Sequence, residues 1–295
     1  MTTPTISHDD LDTGLDTGLD AGLDTYALGR SDAETTRLIR QHQLYGPITR
    51  QHLVAAGITR GMRVLDLGSG AGDVVLLLAD LVGPEGRVIG VDINPAILAT
   101  ARARVAAAGW TNVDLIPGDI GAVDLDLDVE IDAVVGRWVL MYVERPAALL
   151  ARVATLLRPG GIVAMLESLD LRDPVRAFPP SALHDRIAGL MQPPAGAPGP
   201  TMDMGLRLHR TFVDAGLAAP QLRVEAPAGG GPDWPGYGYV AETFRSLLPM
   251  LERVGAVQPG EVDIDTLEDR LRADAVGCGR IQILPTLVGA WSRRT

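Results

Sequence analysis

Residues 64–73 read Val-Leu-Asp-Leu-Gly-Ser-Gly-Ala-Gly-Asp, an apolar run that leads directly into three alternate glycines. An apolar run bounded by glycines predicts a buried β-strand that turns sharply into a helix. Gly68, Gly70 and Gly72 have no β-carbon, so the backbone of this turn can adopt positive φ angles and lie close to a ligand. The positive end of the following helix lies beside the same turn. The sequence therefore predicts a ligand site here.

Strand-like and helix-like patterns alternate five times between residues 61 and 168. This alternation predicts a parallel, doubly wound α/β sheet. Open sheets of this kind bind their ligands outside the carboxyl ends of the strands. We therefore expect the glycine-rich turn and the ends of the neighbouring strands to share one site.

The spacing of the glycines bears on the class of ligand. A dinucleotide fingerprint, G-x-G-x-x-G, requires a glycine at position 73, where this chain has Asp73. The third glycine falls one residue early, and Asp66 stands two residues before the first glycine. The pattern Asp66-x-Gly68-x-Gly70-x-Gly72 resembles motif I of the class I S-adenosylmethionine-dependent methyltransferases. In that family the loop packs against the methionine and ribose parts of the cofactor.

Three later motifs follow the order that this family has. Asp92 ends the second strand, where a carboxylate accepts hydrogen bonds from ribose hydroxyls. Gly118-Asp119-Ile120 ends the third strand and resembles the family's adenine site. Arg158-Pro-Gly-Gly precedes the fifth strand, which is also a frequent feature of these enzymes. The resemblance covers roughly residues 26–170 and the last strand.

The resemblance implies a mostly parallel, seven-stranded Rossmann-like sheet with an antiparallel last strand. It implies S-adenosyl-L-methionine as cofactor and S-adenosyl-L-homocysteine as product. Arg137 would lie at the amino-acid end of the cofactor, beneath an N-terminal segment. The cofactor-binding residues that the resemblance implies are Asp66, Gly68, Ser69, Gly70, Gly72, Asp92, Ile93, Gly118, Asp119, Ile120, Arg137, Tyr26 and Gln41.

Four regions are expected along the chain. Residues 1–25 contain an acidic Leu-Asp-Thr-Gly repeat that predicts disorder, and residues 26–60 form a helical cap, with Ser31 as N-cap and Pro47 starting a second helix. Residues 61–170 form the cofactor-binding core. Residues 171–295 hold the connection, the lid helices 237–254 and 263–276, and the closing strands 219–226 and 280–291. We expect these lid helices, with 31–57 and 181–191, to enclose a small substrate or form a dimer surface.

Methyl transfer is an in-line displacement, so the protein chiefly supplies alignment, exclusion of water and, where required, a base. The catalytic candidates are Glu167, His184, His209 and Tyr237, with Tyr239 beside them. Glu167 lies at the carboxyl edge of the fifth strand, where the sheet places its ligands. His209 lies on an amphipathic helix, where a structural role competes with a catalytic one. No convincing set of oxygen ligands for a metal ion can be assembled.

Composition excludes several other classes of protein. All 26 positively charged residues are arginine, so Schiff-base enzymes and P-loop enzymes that need a lysine are excluded. A net charge of -11 disfavours binding to nucleic acid. The single cysteine, Cys278, permits no internal disulfide, and no membrane span or signal peptide is evident. We therefore expect a cytoplasmic bacterial protein, with a homodimer as one option.

Three functions stay open at this point. The leading one is methyl transfer to a small specialised metabolite, by carbon methylation of an electron-rich aromatic such as indole or by oxygen or nitrogen methylation. The second is a protein that keeps the cofactor without transferring its methyl group. The third is an NAD-dependent oxidoreductase, which Asp73 in place of glycine disfavours.

Overall fold

A computed structural model describes residues 32–121, 130–173, 175–192 and 199–294. Its strands are β1 (Arg63–Leu67), β2 (Arg87–Asp92), β3 (Val113–Pro117), β4 (Ile131–Arg137), β5 (Leu157–Ser168), β6 (Arg176–Phe178), β7 (Gln221–Glu225), β8 (Ala228–Gly230), β9 (Ile281–Ile283) and β10 (Leu287–Arg293). Seven of them form one sheet in the order β3-β2-β1-β4-β5-β10-β7, in which β10 runs antiparallel to both neighbours. This is the mostly parallel, doubly wound sheet that the sequence predicts.

The helices cover the two faces of this sheet and one end of it. They are α1 (Asp32–Ala56), α2 (Asp73–Val82), α3 (Pro95–Ala107), α4 (Pro146–Ala154), α5 (Ala182–Leu190), α6 (Met204–Asp214), α7 (Gly236–Arg253) and α8 (Leu267–Cys278). One buried cluster joins the sheet to α1, α2, α7 and α8, and a second joins the opposite face to α4 and α6. Successive strand residues alternate between these two clusters, as the pleat requires.

The N-terminal cap differs from the prediction. Pro47 does not start a second helix, because it lies inside the continuous helix α1. Proline removes one backbone donor from the helix interior, which ordinarily destabilises it. Both halves of α1 nevertheless bury residues on a common face, including Tyr45 before the proline and Leu53 after it. This shared burial favours one helix over two.

The end of the chain also differs from the prediction. The expected strand from 280 to 291 is two strands, because β9 pairs with β6 and β8 in a separate three-stranded sheet. Pro285 lies between β9 and β10. Proline has no backbone N–H to donate to a neighbouring strand, so it interrupts the strand pattern at this point. Only β10 joins the main sheet. The two helices predicted before the last strand are present as α7 and α8, inserted between β7 and β10, and α7 packs against α1. We call α7 and α8 the lid, after the role that the sequence predicts for them.

Some predictions lie outside the described residues. These are the acidic repeat of residues 11–25, the cofactor contact of Tyr26 and the N-cap at Ser31. Within the described ranges, no helix is both long enough and apolar enough to span a membrane.

Candidate active site at the carboxyl edge of the sheet

The glycine-rich turn between β1 and α2 has the geometry that its sequence predicts. Gly68, Gly70 and Gly72 have φ angles of 66°, 52° and 85°. A β-carbon on Gly68 would lie 2.7 Å from Val139 Cγ2, and one on Gly72 would lie 3.2 Å from Ala101 Cβ. A β-carbon on Gly70 would meet no described atom within 4 Å. The first and third glycines therefore permit close packing, whereas Gly70 faces open space.

Asp92, at the end of β2, is bonded directly to this turn. Its Oδ2 accepts the backbone N–H of Gly70 at 2.8 Å, and its Oδ1 accepts the backbone N–H of Asn94 at 2.9 Å. Burial raises the pKa of Asp92, and these two amides oppose that rise. Each carboxylate oxygen can accept more than one hydrogen bond, so Asp92 retains capacity for ligand hydroxyls.

Two polar side chains at the base of the turn have buried atoms that lack a partner among the described residues. They are Oδ2 of Asp66, which is 1% exposed, and Oγ of Ser69. Burial raises the pKa of Asp66 to about 8, while attraction to Arg137 opposes this. A buried carboxyl oxygen without a hydrogen bond is costly, unless a ligand supplies the donor. The surroundings of these two atoms are therefore the candidate ligand position of this turn.

Charged groups surround this position. Asp73, the first residue of α2, is bonded to Arg104 Nη2 at 2.6 Å. Arg137 Nη1 donates to Thr49 Oγ1 on α1 at 3.0 Å. Burial lowers the pKa of Arg137, and the nearby carboxylates of Asp73 and Asp66 raise it. Asp66 and Asp73 thus lie near two guanidinium groups, those of Arg104 and Arg137, and α1 holds Arg137 in place through Thr49.

An aromatic cluster adjoins Arg137. The rings of Tyr45 and Trp138 meet edge to face with their centroids 4.9 Å apart, and Tyr239 of α7 lies 6.0 Å from Tyr45. The Arg137 guanidinium lies 4.9 Å from the centroid of the Trp138 ring. The Tyr45 hydroxyl donates to the Pro285 carbonyl at 2.8 Å. We call Tyr45, Trp138 and Tyr239 the aromatic cluster; it joins α1, the end of β4 and the lid.

Trp138 has an unusual backbone. Its φ angle is 54°, in the left-handed region that a bulky side chain rarely adopts. Such a conformation costs about 1–3 kcal/mol and persists only where the surroundings enforce it. Trp138 directly follows β4, at the edge where the ligand position lies. Backbone strain of this kind is concentrated at functional sites.

The third-strand residues lie on the other side of the Asp92 carboxylate. The Gly118 N–H donates to the Asp92 carbonyl at 2.9 Å, which places the end of β3 beside the end of β2. Asp119 Oδ1 accepts the Gly121 N–H at 2.7 Å, and Ile120 packs against the second buried cluster. Ile93 is half-buried, directly after Asp92. The structure thus brings the predicted adenine and ribose residues together.

The four catalytic candidates are dispersed. Glu167 is fully buried on the α4 and α6 face of the sheet, and its Oε1 accepts the N–H groups of Val139 at 3.0 Å and Leu140 at 2.7 Å. His209 is exposed on α6, which packs against that same face. The structure therefore does not bring Glu167 or His209 to the α1 and lid side of the sheet.

Tyr237 belongs to the lid helix α7, and His184 lies on α5, which packs into the same buried cluster. Tyr237 is fully buried within the cluster that holds α7 and α8, and burial raises its pKa. His184, on α5, is 3% exposed, and its Nδ1 lies 3.2 Å from Asp185 Oδ1. Tyr237 Oη and His184 Nε2 both lack a hydrogen-bond partner within the described part of the chain. Of the four candidates, these two lie closest to the predicted substrate side.

Sequence reasoning named Tyr239 as a catalytic candidate, but it missed the contact of Tyr45 with Trp138 and Tyr239 and most of the inner face of α1. Gln41 was expected near the cofactor, and it is buried on α1, yet Tyr45 and Thr49 were not predicted. These residues follow Gln41 at intervals of four, which is one helix face. That spacing was available as a signal, but polar residues interrupt its hydrophobic pattern.

Comparison with known proteins gives the family of this chain. A methyltransferase-domain family matches residues 58–184. Among solved structures, a Bacillus halodurans protein described as a methyltransferase has a TM-score of 0.53 at 15% identity, covering 84% of this chain and 99% of that one. This likeness shows the fold alone.

Curated relatives extend the comparison to sequence. An arsenite methyltransferase of Halobacterium salinarum is 35% identical over 45% of this chain and 34% of its own length. The chain spans between 34% and 57% of the length of the first curated relatives that it matches. A nocamycin O-methyltransferase of Saccharothrix syringae is 32% identical over 204 residues, which cover 63% of this chain and 71% of that protein. The chain therefore belongs to the S-adenosylmethionine-dependent methyltransferases.

Proposed function

We propose that this protein transfers the methyl group of S-adenosylmethionine to a small aromatic acceptor, a specialised metabolite that binds between the glycine-rich turn and the lid. The observation that carries the proposal is a pair of buried atoms, Asp66 Oδ2 and Ser69 Oγ, that have no hydrogen-bond partner within the described ranges and belong to the turn that has open space at Gly70. Burial of polar atoms without hydrogen bonds costs free energy, and the folding of the turn alone does not account for that cost.

The residues at this edge fit the cofactor part by part. Asp66 and Ser69 can accept hydrogen bonds from the ammonium group of the methionine part, and Arg137 can attract its carboxylate. Asp92 can accept from the ribose hydroxyls, and Asp119 from the adenine amino group. The cofactor supplies an electrophilic methyl group on a positively charged sulfur. The protein has only to hold it, to align the acceptor and to exclude water.

The aromatic cluster supports an aromatic acceptor. Trp138 is only partly buried and lies at the carboxyl end of β4, so one part of its ring surface remains accessible. A flat, electron-rich ring packs well on an indole face or edge, with a contribution of about 0.5–1.5 kcal/mol beyond simple burial. Tyr45 and Tyr239 are both buried, and they would support the Trp138 ring from α1 and the lid.

The acceptor atom decides at which point of the reaction a proton must be removed. Carbon methylation of an electron-rich ring, such as indole, requires removal of a proton after attack, whereas oxygen methylation requires removal before or during it. Tyr237 and His184 are our candidates for that proton transfer, since both lie on helices that pack into the same buried cluster as α1 and both carry buried atoms without partners among the described residues. The O-methyltransferase that covers 63% of this chain favours an oxygen acceptor as the second candidate function.

The direct test is incubation of the purified protein with methyl-labelled S-adenosylmethionine and separate acceptors. An indole, a phenol, arsenite and a demethylmenaquinone analogue would distinguish the acceptor classes. Labelled indole or labelled phenol is the expected product. Label in arsenite alone would overturn the aromatic proposal, and label in the quinone analogue alone would exclude indole and phenol as the acceptor class. Tight cofactor binding without any labelled product, including from a bacterial metabolite extract, would instead favour a protein that holds the cofactor without transferring its methyl group.

A further inference from the structure

Trp138 is held in its strained conformation by three consecutive residues of β5. The Trp138 N–H donates to the Leu166 carbonyl at 2.9 Å, and the Trp138 indole Nε1–H donates to Ser168 Oγ at 2.9 Å. Between them, Glu167 Oε1 accepts the N–H groups of Val139 and Leu140. The end of β5 thus fixes the backbone before and after Trp138 and also the position of its ring.

Val139 shows why the position of this turn matters. Its side chain lies against two glycines, such that a β-carbon on either Gly68 or Gly136 would be 2.7 Å from one of its methyl groups. Gly68 belongs to the glycine-rich turn, so Val139 transmits the position of the Trp138 segment to the cofactor side of the site. Movement of Val139 out of this contact would open a gap beneath Gly68.

We infer that Glu167 is a positioning residue, which holds the Trp138 turn through the Val139 and Leu140 amides, and that it is not the general base. This inference rests on the proposed function, because it assigns Trp138 to the wall of the acceptor site. The sequence position of Glu167 predicts a catalytic base, and the positioning role replaces that prediction.

The placement of Glu167 supports this role. Strand residues alternate between faces, and Glu167 follows Val163 and Met165 on the α4 and α6 side, whereas Ser168 lies on the α1 and lid side with Leu166. A base must come within hydrogen-bond distance of the proton that it removes. Glu167 is fully buried on the α4 and α6 face of the sheet, so its carboxyl group does not reach the α1 and lid side, where the aromatic cluster lies.

The hydrogen bonds also support it. The two amides require only an acceptor, and a carbonyl-type oxygen meets that requirement without negative charge. Burial raises the pKa of Glu167 to about 8, so this carboxyl group is largely protonated at neutral pH. Glutamine has the same shape and presents one acceptor oxygen, whereas alanine presents none. The two substitutions therefore separate positioning from proton transfer.

The test compares Glu167→Gln with Glu167→Ala in protein labelled with 5-fluorotryptophan, and a Trp138→Phe variant assigns the Trp138 resonance. We expect Glu167→Ala to shift or broaden that resonance and to weaken S-adenosylhomocysteine binding about tenfold. Glu167→Gln should keep the resonance in place and restore binding to within about threefold of wild type. An unmoved resonance in Glu167→Ala, or a displaced one in a folded Glu167→Gln protein, would overturn the inference.

Turnover adds a second comparison once an acceptor is found. A positioning role predicts that Glu167→Gln recovers most of the kcat lost in Glu167→Ala. A base would instead lose about 10²- to 10⁴-fold in kcat in both variants, with the Trp138 resonance unchanged in Glu167→Gln. The resonance and the binding measurements need no acceptor. Failure of methyl transfer in the wild type would therefore contradict the proposed function. The resonance and binding measurements would still decide the role of Glu167.

Discussion

The Asp92 carboxylate accepts the backbone N–H of Gly70 at 2.8 Å, so the residue predicted to bind ribose also holds the glycine-rich turn. The two residues are 22 positions apart in the chain and meet because β1 and β2 are adjacent parallel strands. One side chain therefore serves two purposes. It fixes the loop on which the cofactor lies and presents its remaining acceptor capacity to that cofactor.

Replacement of Asp92 by alanine should weaken S-adenosylmethionine binding. The variant loses charge-assisted hydrogen bonds to ribose and the tether to Gly70, so we expect a loss of about 1–3 kcal/mol. Isothermal titration calorimetry with S-adenosylhomocysteine measures this directly. Glu85→Ala, an exposed acid near the start of β2, is the matched control and should bind as the wild type does. Wild-type affinity in Asp92→Ala would remove Asp92 from the cofactor site.

Substitution of Gly70 by alanine separates backbone strain from loss of the ligand position. Gly70 and Gly255 both have positive φ angles, 52° and 72°, and a β-carbon on either would meet no described atom within 4 Å. Alanine at each position should therefore lower the free energy of unfolding by a similar amount, about 1 kcal/mol. Only Gly70→Ala places a methyl group where the cofactor is expected, and it should weaken binding about tenfold or more.

Thermal unfolding and calorimetry of the two glycine variants provide the comparison. Equal losses of affinity in Gly70→Ala and Gly255→Ala would show that backbone strain, and not contact with the ligand, explains the effect. Equal stability with affinity lost only in Gly70→Ala supports the proposed position of the cofactor.

Much of the fold was predictable because its local signals agree with one another. The run from Val64 to Asp73 combines the signals of a buried strand, a glycine turn and the start of a helix, and these three signals are consistent with one another. The end of the chain was less predictable, since Ile281–Ile283 and Leu287–Arg293 both read as strand. Which sheet each strand joins depends on distant partners, and Pro285 between them is a local sign of a break but not of a second sheet.

The placement of candidate site residues was predictable where a residue type and the carboxyl end of a strand coincide, as for Asp66 and Asp92, whose contacts with a cofactor stay predictions. It was not predictable for Glu167, because a carboxylate at a strand end has the same local sequence whether it faces a ligand or caps backbone amides. The alternation of faces along β5 decides between these roles, and it becomes visible only when the helices on each side are known. Trp138 gave no sequence signal for its positive φ angle.

Asp66 should make stability depend on pH in a definite direction. Burial raises its pKa from 3.8 to about 8 in the folded protein, so the folded state binds this proton more tightly than the unfolded state does. The resulting stabilisation is complete below the unfolded pKa, near pH 4, and is lost as the pH rises through about 8. Its slope is at most about 1.4 kcal/mol per pH unit.

Urea unfolding of the wild type and Asp66→Asn between pH 5 and pH 8 measures this contribution. The free energy of unfolding of the wild type should fall with pH relative to the variant, because the variant lacks the titrating group. Comparison of the two proteins cancels the opposite effect of His42 and His52, whose pKa values burial lowers. A difference that stays constant with pH would show that Asp66 is ionised throughout.

The lid should depend on an ion-pair network between α1 and α8. Arg40 Nη1 and Arg272 Nη2 each lie 2.6 Å from a different oxygen of Glu268. Arg40 crosses Gly238 of α7, where a β-carbon would collide with the guanidinium group. Arg40 and Glu268 are 33% and 27% exposed, less than the 45% and 57% of the Arg50–Asp80 pair between α1 and α2.

A double-mutant cycle of Arg40→Met and Glu268→Gln should therefore give a coupling energy of about 0.5–1 kcal/mol, against less than about 0.5 kcal/mol for Arg50→Met and Asp80→Asn. The functional effect should also differ between the pairs. Loosening the first pair frees α7 and α8, so it should raise the KM for the acceptor and expose the lid to proteolysis, whereas the second pair should change neither. Equal coupling energies and equal proteolysis rates for the two pairs would mean that apolar packing alone holds the lid in place. Such packing exists, because α7 buries Tyr237 and Phe244 in the common core.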